Sequence, residues 1–104
     1  MDILYETAAL KNLCCKESVA TRQLGKACAR KLRARLADIA AAKCVSELSA
    51  GRPHPLQGDL VGKFAVRLSG GVRLVFRPSE SRAGSVDWGE VSSVSICFVG
   101  DYHD

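Results

Sequence analysis

The chain has 104 residues, 47% hydrophobic and 25% charged, with a net charge of +4. That composition suits one globular domain over 1–104 and excludes a disordered or collagen-like chain. No apolar run approaches the roughly 18 residues that span a bilayer, and Met1-Asp2-Ile3-Leu4-Tyr5-Glu6 has no basic n-region, so the chain reads as cytoplasmic, with no membrane partner.

The charge is unevenly placed. Residues 11–77 hold fourteen Lys/Arg against Glu17, Asp38, Glu47 and Asp59, whereas residues 78–104 hold Arg82 against five acids. A basic body with an acidic tail fits a polyanion or an acidic protein chain, and equally a well-solvated surface. The cysteines (Cys14, Cys15, Cys28, Cys44, Cys97) form no Cys-x-x-Cys pair. They read as reduced thiols serving mostly as small core residues, not as a zinc or redox motif.

In chain order, Ile3-Leu4-Tyr5 is a short strand, and Leu10, Leu13 and Cys14 mark a brief helix. Ser18 is the expected N-cap of a longer helix, in which Leu24, Cys28, Leu32, Leu36 and Ile39 recur at helical spacing up to about Lys43. Its other faces carry Arg22, Lys26, Arg30, Lys31, Arg33 and Arg35, a solvated surface or a contact for an acidic chain or RNA. Ser49 to Gly58 contains two prolines and two glycines, which predicts a semi-rigid loop without regular structure. Val61–Leu68 and Val72–Arg77 alternate about a Ser69-Gly70-Gly71 turn. Phe64, Val66 and Leu68 then face the core with Val72, Leu74 and Phe76. The other side shows Lys63, Arg67, Arg73 and Arg77, an open cationic face suited to anions. Residues 78–90 are turn-rich, with Trp88 folding back on the sheet. Val91–Val99 is the last strand, with Val94, Ile96 and Phe98 on one face. The expected fold is α+β: a small, mainly antiparallel sheet with two N-terminal helices packed on one face.

No phosphate-binding glycine motif and no nucleophile elbow is present. The chemistry rests instead on His54, clamped between Pro53 and Pro55, and His103 beyond the last strand. Either histidine can move a proton near neutral pH, Tyr102 can position or stack a base, and Asp101 can orient a histidine or accept a proton. With Arg73, these groups suffice for an RNA 2′-hydroxyl to attack its neighbouring phosphate, without a metal or other cofactor. Asp101, His103, Asp104 and His54 have no recognised metal-ligand spacing.

Three pieces in order carry a resemblance: Gly51-Arg52-Pro53-His54-Pro55-Leu56-Gln57-Gly58-Asp59, then Arg73-Leu74-Val75-Phe76, then Gly100-Asp101-Tyr102-His103. Together they resemble the HigB branch of the RelE/ParE toxins, over nearly the whole chain. The resemblance implies a small ribonuclease-like α+β fold and a type II toxin–antitoxin toxin. Such a toxin is a metal-independent endoribonuclease that cuts mRNA on the translating ribosome, silenced by a cognate helix-turn-helix antitoxin. The toxin alone is expected to be a monomer that assembles into a larger complex with its antitoxin. His54, Arg73, Asp101, Tyr102 and His103 fall on catalytic positions of that pattern, with His54 and His103 not assigned between base and acid. Gln57, Lys63, Arg67 and Arg77 are assigned to RNA. Gln57 departs from the pattern, which often has lysine there to hold phosphate. The alternatives are a ParE-like poison that binds gyrase without chemistry, and a degenerate toxin that only binds antitoxin or nucleic acid.

Overall fold

The computed structural model describes residues 1–80 and 86–101. The elements run β1 (Asp2–Tyr5), α1 (Ala8–Cys15), α2 (Glu17–Leu24), α3 (Lys26–Ala41), β2 (His54–Pro55), β3 (Phe64–Arg67), β4 (Val72–Pro78) and β5 (Ser93–Asp101). The strands make one sheet in the order β1-β5-β4-β3-β2, parallel at β1–β5 and antiparallel elsewhere. The α+β expectation holds, with three helices in place of two.

The predicted long helix is divided at Gly25, whose φ of +85° ends α2 and starts α3. Glycine adopts such a φ without a Cβ clash, so the chain changes direction there. Ser18 consequently lies inside α2, which starts after Lys16. Among the described helices only α1 begins with a side-chain cap, where Thr7 Oγ1 accepts from the Leu10 amide at 3.1 Å. At the far end of α3 the Met1 ammonium donates to the Ile39, Ala40 and Ala42 carbonyls at 3.2, 2.9 and 2.6 Å. A positive charge at a helix C-terminus satisfies the last carbonyls and opposes the helix dipole.

The hairpin register aligns the two apolar sets as the alternation predicted: Phe64 opposite Phe76 and Val66 opposite Leu74. These side chains, with Val94 and Ile96 from β5, meet Cys28, Leu32 and Ile39 of α3 in the main core. Phe64 stacks on Phe76 at 5.6 Å and receives Trp88 edge-on at 4.8 Å. Trp88 does fold back on the sheet, as read from the sequence.

Three local expectations are corrected. His54 and Pro55 form a strand, paired with Ala65 and Phe64. The Leu56 amide donates to Lys63 O at 2.9 Å, so alternation turns the nitrogen of Pro55 to the outer edge. Its missing N–H costs nothing there. A register irregularity between β4 and β5 at Val75/Phe76 leaves Cys97 without a partner, so Ile96 faces Phe76 whereas Phe98 faces Val75. This bulge reverses the alternation and moves Phe98 off the core side, 40% exposed. Finally, the core role expected of the cysteines holds for Cys28, which is buried, and for Cys14 and Cys97, which pack against the two cores, but not for Cys15, which is exposed. Burial, and then the neighbouring Cys15, push the Cys14 thiol up to about 12, so it stays protonated and unreactive.

Candidate active site on the helix-free face of the sheet

On the side of the sheet away from the helices, the register lays out two rows. One runs His54–Ala65–Val75–Phe98 across β2, β3, β4 and β5. The next, two residues along, runs Arg67–Arg73–Gly100. Strand spacing and rise separate His54 from Arg73 by about 10 Å across the sheet and about 7 Å along it.

The face is less open than the alternation suggested. Leu56 and Leu60 fold over Ala65 and Val75, with Cys97 beside them, in a small second core. Burial raises the Cys97 thiol above its ordinary range, ahead of the opposing effect of Lys63, which removes it as a nucleophile. The same 54–60 segment forms a groove of about 740 Å³ that both His54 and Gln57 line. Histidine and glutamine thus share one cleft, with Gln57 exposed at its rim.

Arg67 and Arg73 stand directly opposite each other. Like charges in that position are destabilising, and no acid among the described residues lies within salt-bridge distance of either. Arg73 Nη1 is buried with no hydrogen-bond partner among the described residues. A buried donor left unmade is expensive. An anion between the two guanidinium groups would relieve the repulsion.

Beyond Arg73, the Phe98 ring lies over Gly100, where an added Cβ would come within 2.8 Å of Phe98 Cζ. Phe98 was missed in the sequence because Val94, Ile96 and Phe98 alternate without a break. The signal available was Gly100, since a glycine inside a strand pattern marks a bulge or a close approach. Asp101 stands opposite Val72, and its carboxylate packs against Gly71, whose added Cβ would lie 2.8 Å from Oδ1. No ion pair joins Asp101 to Arg67 or Arg73. Tyr102 and His103 lie outside the described residues.

Of the other assigned cations, Lys63 is half-buried. Arg77 is engaged, donating from Nε to Glu6 Oε2 at 2.8 Å and from Nη1 to Pro78 O at 3.0 Å. Its charge is already matched within the chain. Among the described residues no group of three His, Cys, Asp or Glu is placed to hold a metal ion, and no helix is long and apolar enough to cross a membrane.

No family model and no curated protein matches the chain. Among solved structures, a YoeB/ParE toxin from Agrobacterium tumefaciens superposes with a TM-score of 0.65 at 14% identity, covering 99% of this chain and 100% of that one. The chain has the fold of the YoeB/ParE toxins. Two structures of YoeB from Staphylococcus aureus, a dimer and a complex with YefM, agree at TM-scores of 0.61 and 0.60. Both are 18% identical and cover 99% of this chain and 98% of theirs. At such identities the toxin fold is shared while few side chains are, so the chemistry has to be argued from the residues of this chain.

Proposed function

We propose that this chain is the toxin of a type II toxin–antitoxin pair, of the HigB kind, and that it cuts mRNA on the translating ribosome. The observation that carries this reading is the opposed Arg67–Arg73 pair, with Arg73 Nη1 buried and without a hydrogen-bond partner among the described residues, beside a groove lined by His54 on the same face of the sheet. Such a face holds a phosphodiester and moves a proton. In the cleavage step the 2′-oxygen attacks phosphorus, Arg73 stabilises the charge that develops on the phosphoryl oxygens, and the 5′-oxygen leaves. His54, with Tyr102, His103 and Asp101 at the chain end, supplies proton transfer and positioning. A gyrase poison has no use for that set.

The basic body offers an antitoxin a surface for acidic side chains, as one structural relative was solved in complex with YefM. The toxin is proposed to act in the cytoplasm, where ribosomes and mRNA are.

Expression without a partner should arrest growth and produce new 5′ ends within translated messages, read by primer extension. Intact transcripts accompanied by DNA breaks would establish the gyrase-poison reading instead.

Salt dependence separates the cations that hold RNA from those that do not. Each cation that neutralises a phosphate adds about 1 to the slope of log affinity against log salt, so its replacement by alanine should flatten the slope by that much. Arg67→Ala and Lys63→Ala are expected to do so for ribosome or RNA binding. Arg77→Ala should change the slope little, because Glu6 already holds that guanidinium. Equal effects from Arg67 and Arg77 would show that the Glu6 pair opens when RNA binds.

A further inference from the structure

Arg52 is the one non-glycine residue with a positive φ among the described residues, at +50°. It follows Gly51 at +84° and directly precedes Pro53, whose ring restricts the residue before it to extended conformations. A side-chain-bearing residue keeps such a backbone only where its surroundings hold it there. Here they do. On one side the Arg67 amide donates to Gly51 O at 2.6 Å, and on the other the Leu56 amide donates to Lys63 O at 2.9 Å, with His54 paired to Ala65 between them.

Pinned at both ends, the turn aims the Arg52 carbonyl at the ring of the histidine that follows. The distance from His54 Nδ1 to Arg52 O is 2.8 Å. A carbonyl oxygen only accepts, so Nδ1 carries the proton and the lone pair of the neutral ring sits on Nε2. Nε2 makes no hydrogen bond with the described residues, and the ring lines the groove it shares with Gln57.

We infer that Arg52 is a positioning residue: its backbone carbonyl holds His54 as the Nδ1–H tautomer, leaving Nε2 to accept the 2′-hydroxyl proton. The identity of that proton rests on the ribonuclease reading; the tautomer does not. In the step, the proton on the 2′-oxygen passes to Nε2 as that oxygen bonds to phosphorus. The P–O5′ bond breaks, and the 5′-oxygen takes a proton from a separate acid or from water, giving a 2′,3′-cyclic phosphate and a 5′-hydroxyl. The Nδ1–H bond to Arg52 O survives in the charged ring, so the base need not reorient when it takes up the proton.

Long-range ¹H–¹⁵N spectra of the labelled free protein test the tautomer directly, recorded above the end of the ring titration, with His103→Gln used to assign the two histidines. The expected pattern is a protonated Nδ1 and a pyridine-like Nε2 for His54. The reverse pattern, which free histidine prefers in water, would overturn the inference. Arg52→Gly, which accepts a positive φ freely, should keep the tautomer. Arg52→Val, which resists that backbone, should shift His54 toward the Nε2–H form and slow cleavage. If folded Arg52→Val keeps the parent tautomer, the left-handed turn does not set it and the positioning role falls.

A ribosome-bound mRNA with sulfur replacing the scissile 5′-oxygen distinguishes base from acid, because a thiolate leaves without protonation. His54→Ala should lose about 10²–10⁴ in rate on both substrates. A loss that disappears with the sulfur leaving group makes His54 the acid and overturns its role as base. A parent protein with an Nδ1–H ring that cuts no mRNA overturns the ribonuclease reading and the base role, and leaves the tautomer standing.

Discussion

Arg73→Ala is expected to lower the single-turnover cleavage rate on ribosomes programmed with one defined mRNA by about 10²–10³, the usual loss when one preorganised stabiliser of transition-state charge is removed. Gln57 makes Arg73 more important here than it would be beside a lysine. Its amide can donate a hydrogen bond to phosphate but brings no charge, so the guanidinium carries more of the developing negative charge. The fold supplies an internal control. Arg73 faces Arg67, with one nitrogen buried and unsatisfied among the described residues, so its removal relieves like-charge repulsion. Thermal stability should therefore stay level or rise while the rate collapses. A melting temperature that falls with the rate would make Arg73 a structural residue and withdraw it from the chemistry. In the opposite direction, Gln57→Lys should raise the rate and leave antitoxin binding nearly unchanged. A flat or lower rate would take position 57 out of reach of the scissile phosphate.

Gly51→Ala is expected to destabilise the protein by about 2–5 kcal/mol, combining overpacking of ~1–3 kcal/mol with a left-handed backbone penalty of ~1–2 kcal/mol. The added Cβ would stand 2.5 Å from Val66 Cγ1, 2.9 Å from the Arg67 carbonyl and 3.1 Å from Arg35 Cδ. The carbonyl is backbone in a paired strand and cannot swing aside. Urea unfolding measures the loss, and Gly58→Ala serves as the comparison. Position 58 also has a positive φ, +66°, but meets nothing within 4 Å, so it carries only the backbone penalty. If the two substitutions cost the same, the 51–54 segment is not packed against the end of β3. Because that segment also carries His54, folded Gly51→Ala should lose cleavage more than its stability explains.

How much of this was legible in the residues differs from element to element. The hairpin's buried faces and turn were readable, although β3 begins at Phe64 and not at Val61. Phe64, Val66, Leu74 and Phe76 alternate with polar or small residues, so period two fixes which side of each strand is buried, and the short Ser69-Gly70-Gly71 turn selects among the registers that keep it. The apolar spacing through Cys28, Leu32 and Ile39 likewise identified the buried face of α3. The break at Gly25 was not read, since an isolated glycine inside a helical pattern is tolerated and does not by itself mark an end. Position 55 shows the same limit: proline argues against a strand unless its nitrogen faces outward, which depends on a partner strand absent from the local sequence.

The site divides along the same line. His54 in its proline clamp and the arginines on alternate strand positions were visible, because side-chain identity and parity are local properties. Alternation and apolarity were likewise enough to specify the α+β class and which face of the hairpin is cationic. Long-range pairing settled the rest. It placed Arg67 opposite Arg73, moved Phe98 across the sheet through the bulge, matched Arg77 to Glu6, and pinned Gly51 so that the Arg52 carbonyl meets His54. Each of these depends on residues far apart in the chain whose relative position exists only after the sheet has closed, and no local pattern encodes that distance.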